Sequence, residues 1–508
     1  RKVYMEFGID YNRTFGLHKT TALILYNQSK YYSPSLQYYV PNAYQGLVGR
    51  LTYEYASRYL AEFNMGYNGT ENFAKGKRFG FFPAVSLGWV ISEEKFFPKN
   101  NIVKYLKVRG SYGEVGNDQI GGDRFLYLPS SYGAASDSGV NKYNFGLASN
   151  PYTSLMIVEN KIGNPDLTWE KAKKMNVGVD INLFNNCLTA SFDIFKEKRN
   201  NILANRSTSP MIIGANLPAY NFGEMENRGW EMDLNFRHHI QDFHYWARFN
   251  YSFARNEIIY MDEVQKRYDY QMTTGRRKNQ FFGLIFDGYY NSWEEINALD
   301  RPKSSWSGNQ LQPGDVKYVD VNQDGVIDDY DMVPIGYTPV PEIIYGFSFG
   351  AQYKGFDFSI LFQGADNVSI KYFGRSMWPF AKGEESAKSL IKERWTQERY
   401  EAGEKITFPR LSLNPNGETD HNYRPSTLWI RDASYLRLKN LEVGYTFTGG
   451  FVKRLNLNSV RLYFNGSNLF TWTDVVDLDP EAPSRSGNVE INTYPLQKVY
   501  NIGLNINF

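Results

Sequence analysis

A single cysteine, Cys187, stands among 508 residues, which excludes an intrachain disulfide framework and every multi-cysteine metal site. It reads as a small turn residue. Histidine is also scarce: His18, His238, His239, His244 and His421 form no HExxH or other ligand spacing, so they read as solvated or interfacial side chains. No apolar run reaches the roughly 18 to 20 residues of a spanning helix, and any membrane role must come from strands. Neither sign of charge dominates. With 56 Lys and Arg against 54 Asp and Glu, the net charge of +2 offers no surplus for nucleic acid, which is not expected as a partner. The first residues, Arg1 to Tyr11, lack the basic, apolar and cleavage-site succession of a secretory signal. No GxSxG, Walker or paired-glycine phosphate motif occurs, so nothing recommends an enzyme.

What is abundant is aromatic. Rings make up 17% of the chain, yet mean hydropathy is −0.50, so large side chains are concentrated on a chain that is polar on average. They fall on a period of two. Tyr500, Ile502, Leu504, Ile506 and Phe508 alternate with Asn501, Gly503, Asn505 and Asn507, giving one face for lipid and one for water. Met175 to Leu183 and Leu188 to Ile194 alternate likewise around Asn185-Asn186, which predicts a hairpin. Trp230 to Phe236 with Tyr245 to Phe253, and Tyr345 to Tyr353 with Phe356 to Phe362 across Lys354-Gly355, repeat the pattern.

The alternation predicts about fifteen strands, with boundaries good to roughly two to four residues. They lie near 2–12, 17–29, 43–56, 59–69, 80–91, 104–114, 170–184, 187–199, 225–238, 242–256, 341–353, 355–366, 430–447, 458–468 and 498–508. In the strand over 430–447 the apolar phase slips between Leu438 and Leu441, which predicts a bulge at Lys439-Asn440. Connections alternate between short and long, the long ones including 115–168, 200–224, 257–340 and 367–428. Tight turns at one end and long loops at the other are the pattern of an outer-membrane β-barrel. A soluble sandwich also has alternating strands but seldom needs so many long loops at one end. One loop is expected to hold a short helix, because Ala387, Leu390, Ile391 and Trp395 lie at helical spacing. The fold class is therefore all-β, a transmembrane antiparallel barrel, with residues 1–508 as a single domain.

Five segments carry a resemblance to a family. Gly163-Asn164-Pro165-Asp166-Leu167-Thr168-Trp169-Glu170 is similar to the NPxLxxE turn of TonB-dependent receptors in its SusC-type form. Asn221-Phe222-Gly223 with Asn227-Arg228-Gly229-Trp230-Glu231 resembles the N-x-G and N-x-G-x-E strand start of the SusC/RagA family. Asp432-Ala433-Ser434-Tyr435-Leu436-Arg437-Leu438-Lys439-Asn440-Leu441, running to Gly444-Tyr445, is the most specific likeness. Asn468-Leu469-Phe470-Thr471-Trp472 followed by Asp479-Pro480-Glu481, and a terminal Phe508, complete the set. Together and in this order they identify the chain as similar to the C-terminal part of a SusC/RagA importer. The resemblance implies a 22-stranded barrel with a plug, driven by TonB through a plug-borne box and covered outside by a SusD-like surface lipoprotein. Neither plug nor TonB box lies in this sequence.

The function so implied is TonB-dependent import of oligomeric nutrients, glycan fragments first and peptides second, across the outer membrane of a Gram-negative bacterium. A non-energised porin or a surface adhesin is the alternative, and a barrel-embedded hydrolase comes third. Parity supports an incomplete barrel: with long loops outside and Phe508 in the periplasm, about fifteen strands place Arg1 in an extracellular loop. A companion polypeptide carrying the plug and the first strands is therefore expected between the strands at 2–12 and 498–508.

One segment suggests a metal. Asp320-Val321-Asn322-Gln323-Asp324-Gly325-Val326-Ile327-Asp328-Asp329-Tyr330-Asp331 fits D-x-N-x-D-G-x5-D, the spacing of a calcium loop. Asp320, Asn322, Asp324, Asp328 and Asp331 would offer side-chain oxygens and Val326 its carbonyl to a structural Ca²⁺. The twelfth position is Asp instead of Glu, and flanking helices are lacking, so an Asx-rich turn without an ion fits the same residues. Loop rings, Tyr38, Tyr39, Trp378 and Trp395 above all with Tyr31, Tyr32, Trp293 and Trp306, are candidates for stacking on substrate. Membrane girdles and loop cores use such rings too.

Overall fold

A computed structural model describes residues 1–32, 40–121, 124–129, 133–134, 142–147, 152–158, 162–208, 217–306, 311–372, 378–380, 389–412, 421–476, 478–481 and 496–508. It holds two compact units, one of Arg1–Asn182, Phe192–Gly229 and Asn256–Val264, the other of Leu183–Ser191, Trp230–Arg255 and Gln265–Phe508. Fifteen strands are hydrogen-bonded in chain order into one antiparallel sheet. In the first half these are β1 (Lys2–Phe15), β2 (His18–Tyr31), β3 (Asn42–Tyr55), β4 (Tyr59–Thr70), β5 (Phe79–Val90), β6 (Val103–Asn117), β7 (Glu170–Leu183) and β8 (Leu188–Ala204). Then follow β9 (Tyr220–Ile240), β10 (Phe243–Tyr260), β11 (Ile343–Tyr353), β12 (Phe356–Asp366), β13 (Tyr435–Phe447), β14 (Ser459–Thr473) and β15 (Val499–Asn507). Each expected strand has a counterpart in the sheet, and the one expected over 430–447 is broken at its start. In this order β1 and β15 each have one hydrogen-bonded neighbour.

Exposure separates a membrane sheet from a soluble sandwich. In β5 Gly80, Phe82 and Val90 of one face are buried while Phe81, Val85, Leu87 and Trp89 of the other stand exposed. Leu87 is 63% exposed and Ile502 in β15 is 81% exposed, so the apolar faces are not packed against a second sheet. A sandwich would bury these side chains. Strand length carries a further clue: β11 and β12 have 11 residues, enough to cross a hydrocarbon core, whereas β9 has 21 and β10 has 18. The surplus projects at the long-loop end, because β9 and β10 are joined at the other end by Gln241 and Asp242 alone.

The tight turns follow local chemistry. Lys354 and Gly355 take φ of 44° and 93°, the left-handed pair that a two-residue hairpin requires. Asn185 and Asn186 are also left-handed, at 56° and 68°, a region asparagine tolerates. The phase slip in β13 is a bulge. Pairing with β12 passes from Asn440 to Leu438 and skips Lys439, and pairing with β14 shifts at the same place.

Two expectations need correction. The strand expected over 430–447 is broken: Ile430–Asp432 pairs with Ser369–Lys371, and β13 begins only at Tyr435. Asp432 accepts the Ser434 N–H at 2.8 Å, an Asx turn that takes the backbone off the ladder. The helix expected around Ala387 to Trp395 is a short 3₁₀ segment, Ser389–Glu393, followed by a separate helix, Gln397–Glu401. The Trp395 N–H goes to the Phe408 carbonyl at 2.8 Å, so backbone pairing ends the turn before a helix develops. Ala387 lies outside the described residues.

The loops carry their own cores. In the second unit Leu284, Val316, Trp378, Trp395, Phe408, Tyr423 and Trp429 belong to one buried cluster. In the first unit Phe73, Phe82, Leu126, Leu167 and Trp169 form a smaller one.

Candidate functional site

The motifs that looked like turn signatures meet in space. In the first unit Asn164 is 4% exposed; its Oδ1 accepts the Asp166 N–H at 3.0 Å and its Nδ2 donates to the Ala219 carbonyl at 2.8 Å. Asn221 accepts the Thr168 N–H at 2.9 Å and donates back to the Thr168 and Asn201 carbonyls, both at 2.9 Å. One asparagine thus replaces a ladder where the chain enters β7. Leu167 and Trp169 fill the core beneath. In the second unit Tyr435, Arg437 and Lys439 of β13 converge on Asp479 and Glu481. Arg437 donates to Asp479 and to Glu481 at 2.7 Å each, Lys439 donates to Glu481 at 2.9 Å, and the Tyr435 hydroxyl donates to Glu481 at 2.9 Å. Burial by itself would raise the Asp479 carboxyl, but hydrogen bonds from Arg437 and from backbone N–H groups outweigh it and hold the group below its ordinary value. These segments fix loops to strands.

The polar faces of the strands are laced with charge. In the first unit Arg109 of β6 reaches Asp180 of β7 at 3.1 Å and Asp193 of β8 at 2.6 Å. In the second, Arg461 of β14 bridges Asp357 of β12 and Glu442 of β13, and Arg255 with Arg277 holds Glu342. For Glu342 burial acts upward, yet the two guanidinium groups prevail and keep the carboxyl below its ordinary range. Above the polar face of β2–β4 in the first unit lies a cavity of about 960 Å³ whose lining includes Tyr31, Tyr44, Asn72, Asp118, Gln119 and Arg124. Arg124 frames it by donating to the Val40 and Pro41 carbonyls and pairing with Glu71 at 3.0 Å. The sequence held no motif for this cavity, because its residues come from the ends of several strands and from separate connections.

The expected ligand residues are placed as follows. Asp320 accepts the Gln323 and Gly325 N–H groups at 2.7 and 2.8 Å, and Asn322 and Asp324 accept those of Asp324 and Val326 at 3.0 Å each. Asp328 accepts the Tyr330 N–H at 2.7 Å, and Asp331, fully buried, accepts those of Val321 at 2.8 Å and Asp328 at 2.9 Å. Gly325 turns the chain at φ 82°. The donor set suits a hard cation in kind, all oxygen around a glycine turn. In position it does not yet gather: among the described residues no three acidic, imidazole or thiol groups form a metal-holding cluster. Desolvation raises the Asp331 carboxyl above its ordinary value.

Trp378 and Trp395 are 7% and 8% exposed, inside the loop core, so their ring faces are taken up in packing. Tyr38 and Tyr39 lie outside the described residues. Trp293 and Tyr31 are exposed, and Trp306 lies under the Arg424 guanidinium at 4.0 Å. His421 corrects the expectation of a solvated side chain: it is buried, with Nδ1 2.9 Å from Ser304 Oγ and Nε2 2.8 Å from the Val316 carbonyl. The other four are exposed, and His239 and His244 stack at 5.5 Å beside the β9–β10 turn.

Strands with apolar faces outward and ion-paired polar faces define an outer-membrane β-barrel protein. Residues 3–469 match the family model described as TonB dependent receptor-like, beta-barrel, and the chain belongs to that family. It is 28% identical over 479 residues to TonB-dependent receptor P3 of Formosa agariphila, covering 91% of this chain and 45% of that protein. It is likewise 28% identical over 477 residues to TonB-dependent receptor SusC of Bacteroides thetaiotaomicron, covering 93% of this chain and 44% of that protein. Among solved structures it resembles the RagAB peptide transporter, with a TM-score of 0.75 at 22% identity, over 100% of this chain and 55% of that one. The chain spans about half the length of the curated relatives it matches. Its place is the outer membrane.

Proposed function

We propose that the chain supplies part of the barrel of a TonB-dependent importer that carries oligomeric nutrients across the outer membrane, glycan fragments first and peptides second. The observation that carries the reading is the cavity of about 960 Å³, lined by amide, hydroxyl and charged groups on the polar face of strands whose other face meets lipid. Likeness to SusC supports the TonB-dependent reading, and likeness to a peptide transporter supports the second substrate class. TonB, a SusD-like surface lipoprotein and a companion segment bearing the plug are the partners this reading requires. Deleting the gene should abolish uptake of one labelled oligomer class, and a protonophore should stop uptake in the wild type. Uptake that persists through collapse of the proton gradient would favour the porin alternative. Purification in mild detergent should bring the lipoprotein along, and a barrel recovered alone would remove the lid from the reading.

We further propose that the 320–331 loop takes calcium, with Asp320, Asn322, Asp324, Asp328 and Asp331 offering side-chain oxygens and Val326 its carbonyl. Anomalous scattering from crystals grown with calcium should show an ion with oxygens at roughly 2.3 to 2.6 Å. A loop without a peak at saturating calcium would refute the assignment.

A further inference from the structure

The register orders the outward side chains of β1–β5 into rows. Phe7, Tyr26, Leu47, Tyr67 and Phe81 lie side by side and all are exposed. One step toward the long-loop end the row reads Met5, Gln28, Gln45, Gly69 and Phe79, and the next reads Val3, Lys30 and Ala43. Apolar surface gives way to polar surface across these rows, as it does where hydrocarbon meets headgroups. The Tyr26 hydroxyl marks the change by donating to Gln28 at 3.0 Å.

Two positions in the polar rows have almost no side chain, Gly69 and Ala43. They leave a notch of about 500 Å³ lined by Val3, Gln28, Lys30, Ala43, Gln45 and Phe79, among others. Its walls are set. The Phe79 ring lies over Gly69, where any Cβ would collide with it, and stacks on Tyr67 at 5.1 Å. Lys30 is exposed, sits 5.3 Å over the Tyr32 ring and has no carboxylate partner among the described residues. Glu71, also at the notch, is neutralised by Arg124, and Arg78 at its edge donates to the Phe73 carbonyl at 3.1 Å. The notch therefore joins an uncompensated ammonium and two amide side chains to an apolar wall.

We infer that this notch holds one phosphorylated lipid of the outer leaflet. The headgroup phosphate sits at Lys30, Gln28 and Gln45 hydrogen-bond its neighbouring oxygens, and an acyl chain runs down over Leu47 between Tyr26 and Tyr67. A cation at this depth is where an anionic headgroup is attracted, and each methylene laid on the apolar row adds to the hold. A free phosphate would gain only solvent-exposed polar contacts, which are worth little in water. The occupant is thus an amphiphile.

Native mass spectrometry of the complete gene product in detergent tests this with three probes: bis-phosphorylated lipid A, its dephosphorylated form, and inorganic phosphate. The wild type should keep one bis-phosphorylated lipid A through delipidation, and Lys30→Gln should cut retention about tenfold, the scale of one charged hydrogen bond. Dephosphorylated lipid A should be held as weakly by the wild type as the phosphorylated form is by that variant. Ala43→Trp, which fills the notch from the lipid side, should abolish retention while the barrel keeps its folded band on an unheated gel. Equal retention in the wild type and both variants, or displacement of the lipid by millimolar phosphate, would overturn the assignment.

Discussion

Arg437 is 2% exposed and answers two carboxylates at once. Removing it leaves Asp479 covered without its ion pair, and Glu481 with only Lys439 and the Tyr435 hydroxyl. Arg437→Ala is expected to destabilise the folded barrel by about 3 to 5 kcal/mol, read as a lower unfolding midpoint on a heat-shift gel. The linked pH effect has a definite sign. A carboxyl held below its ordinary value contributes fully above its unfolded pKa, about 4, and loses that contribution as pH falls through the depressed folded value. The wild type should therefore hold its midpoint from pH 7 to 5 and drop below about 4, and Arg437→Ala should flatten that drop. Asp331 is opposite in sign: raised by burial, it takes up its proton early as pH falls. Asp331→Asn should weaken calcium binding at 320–331 at neutral pH, and titration with terbium luminescence checks it.

Among the elements, β13 shows how one extra residue sets a face. Beyond Lys439 the outward series is Leu441, Val443, Tyr445 and Phe447, with Val443 and Phe447 exposed to lipid. Deleting Lys439 would put either the tyrosine and arginine end or this series on the wrong face. The deletion should abolish the folded band in outer-membrane fractions, whereas Lys439→Ala should keep it. The bulge was legible because Leu438 and Leu441 break the alternation in the sequence itself. So were the strands, since lipid on one side and water on the other leave a period of two. What was not legible depends on distant partners. The break at Ala433-Ser434 needs Ile430–Asp432 to find Ser369–Lys371. His421 is buried only because Ser304 and Val316 meet it. Asn164 and Asn221 were visible as motifs, but their joint role required the two loops to touch. The calcium spacing was read in the sequence, and its oxygens are found on backbone N–H groups.

For the whole molecule the exposed apolar rows decide the solvent. Leu87 and Ile502 together with the outward row of β1–β5 are exposed among the described residues, so the chain should precipitate when detergent is removed, and light scattering would show it. The strand order begins and ends on strands with one neighbour each. Unpaired backbone groups cost several kcal/mol apiece in hydrocarbon, which is why the companion segment is part of the proposed function. The loop core of the second unit has a different consequence. Trp429, Phe408 and Tyr423 of the β12–β13 connection are almost wholly covered, while Trp293 and Leu299 of the β10–β11 connection are open to solvent. Antibodies meeting this surface can read only the open positions, and only those can change without loosening the packing beneath. Diversity among descendants of this gene should therefore gather at sites such as 293 and 299, with the buried tryptophans held fixed as the price of keeping a variable coat on a constant frame.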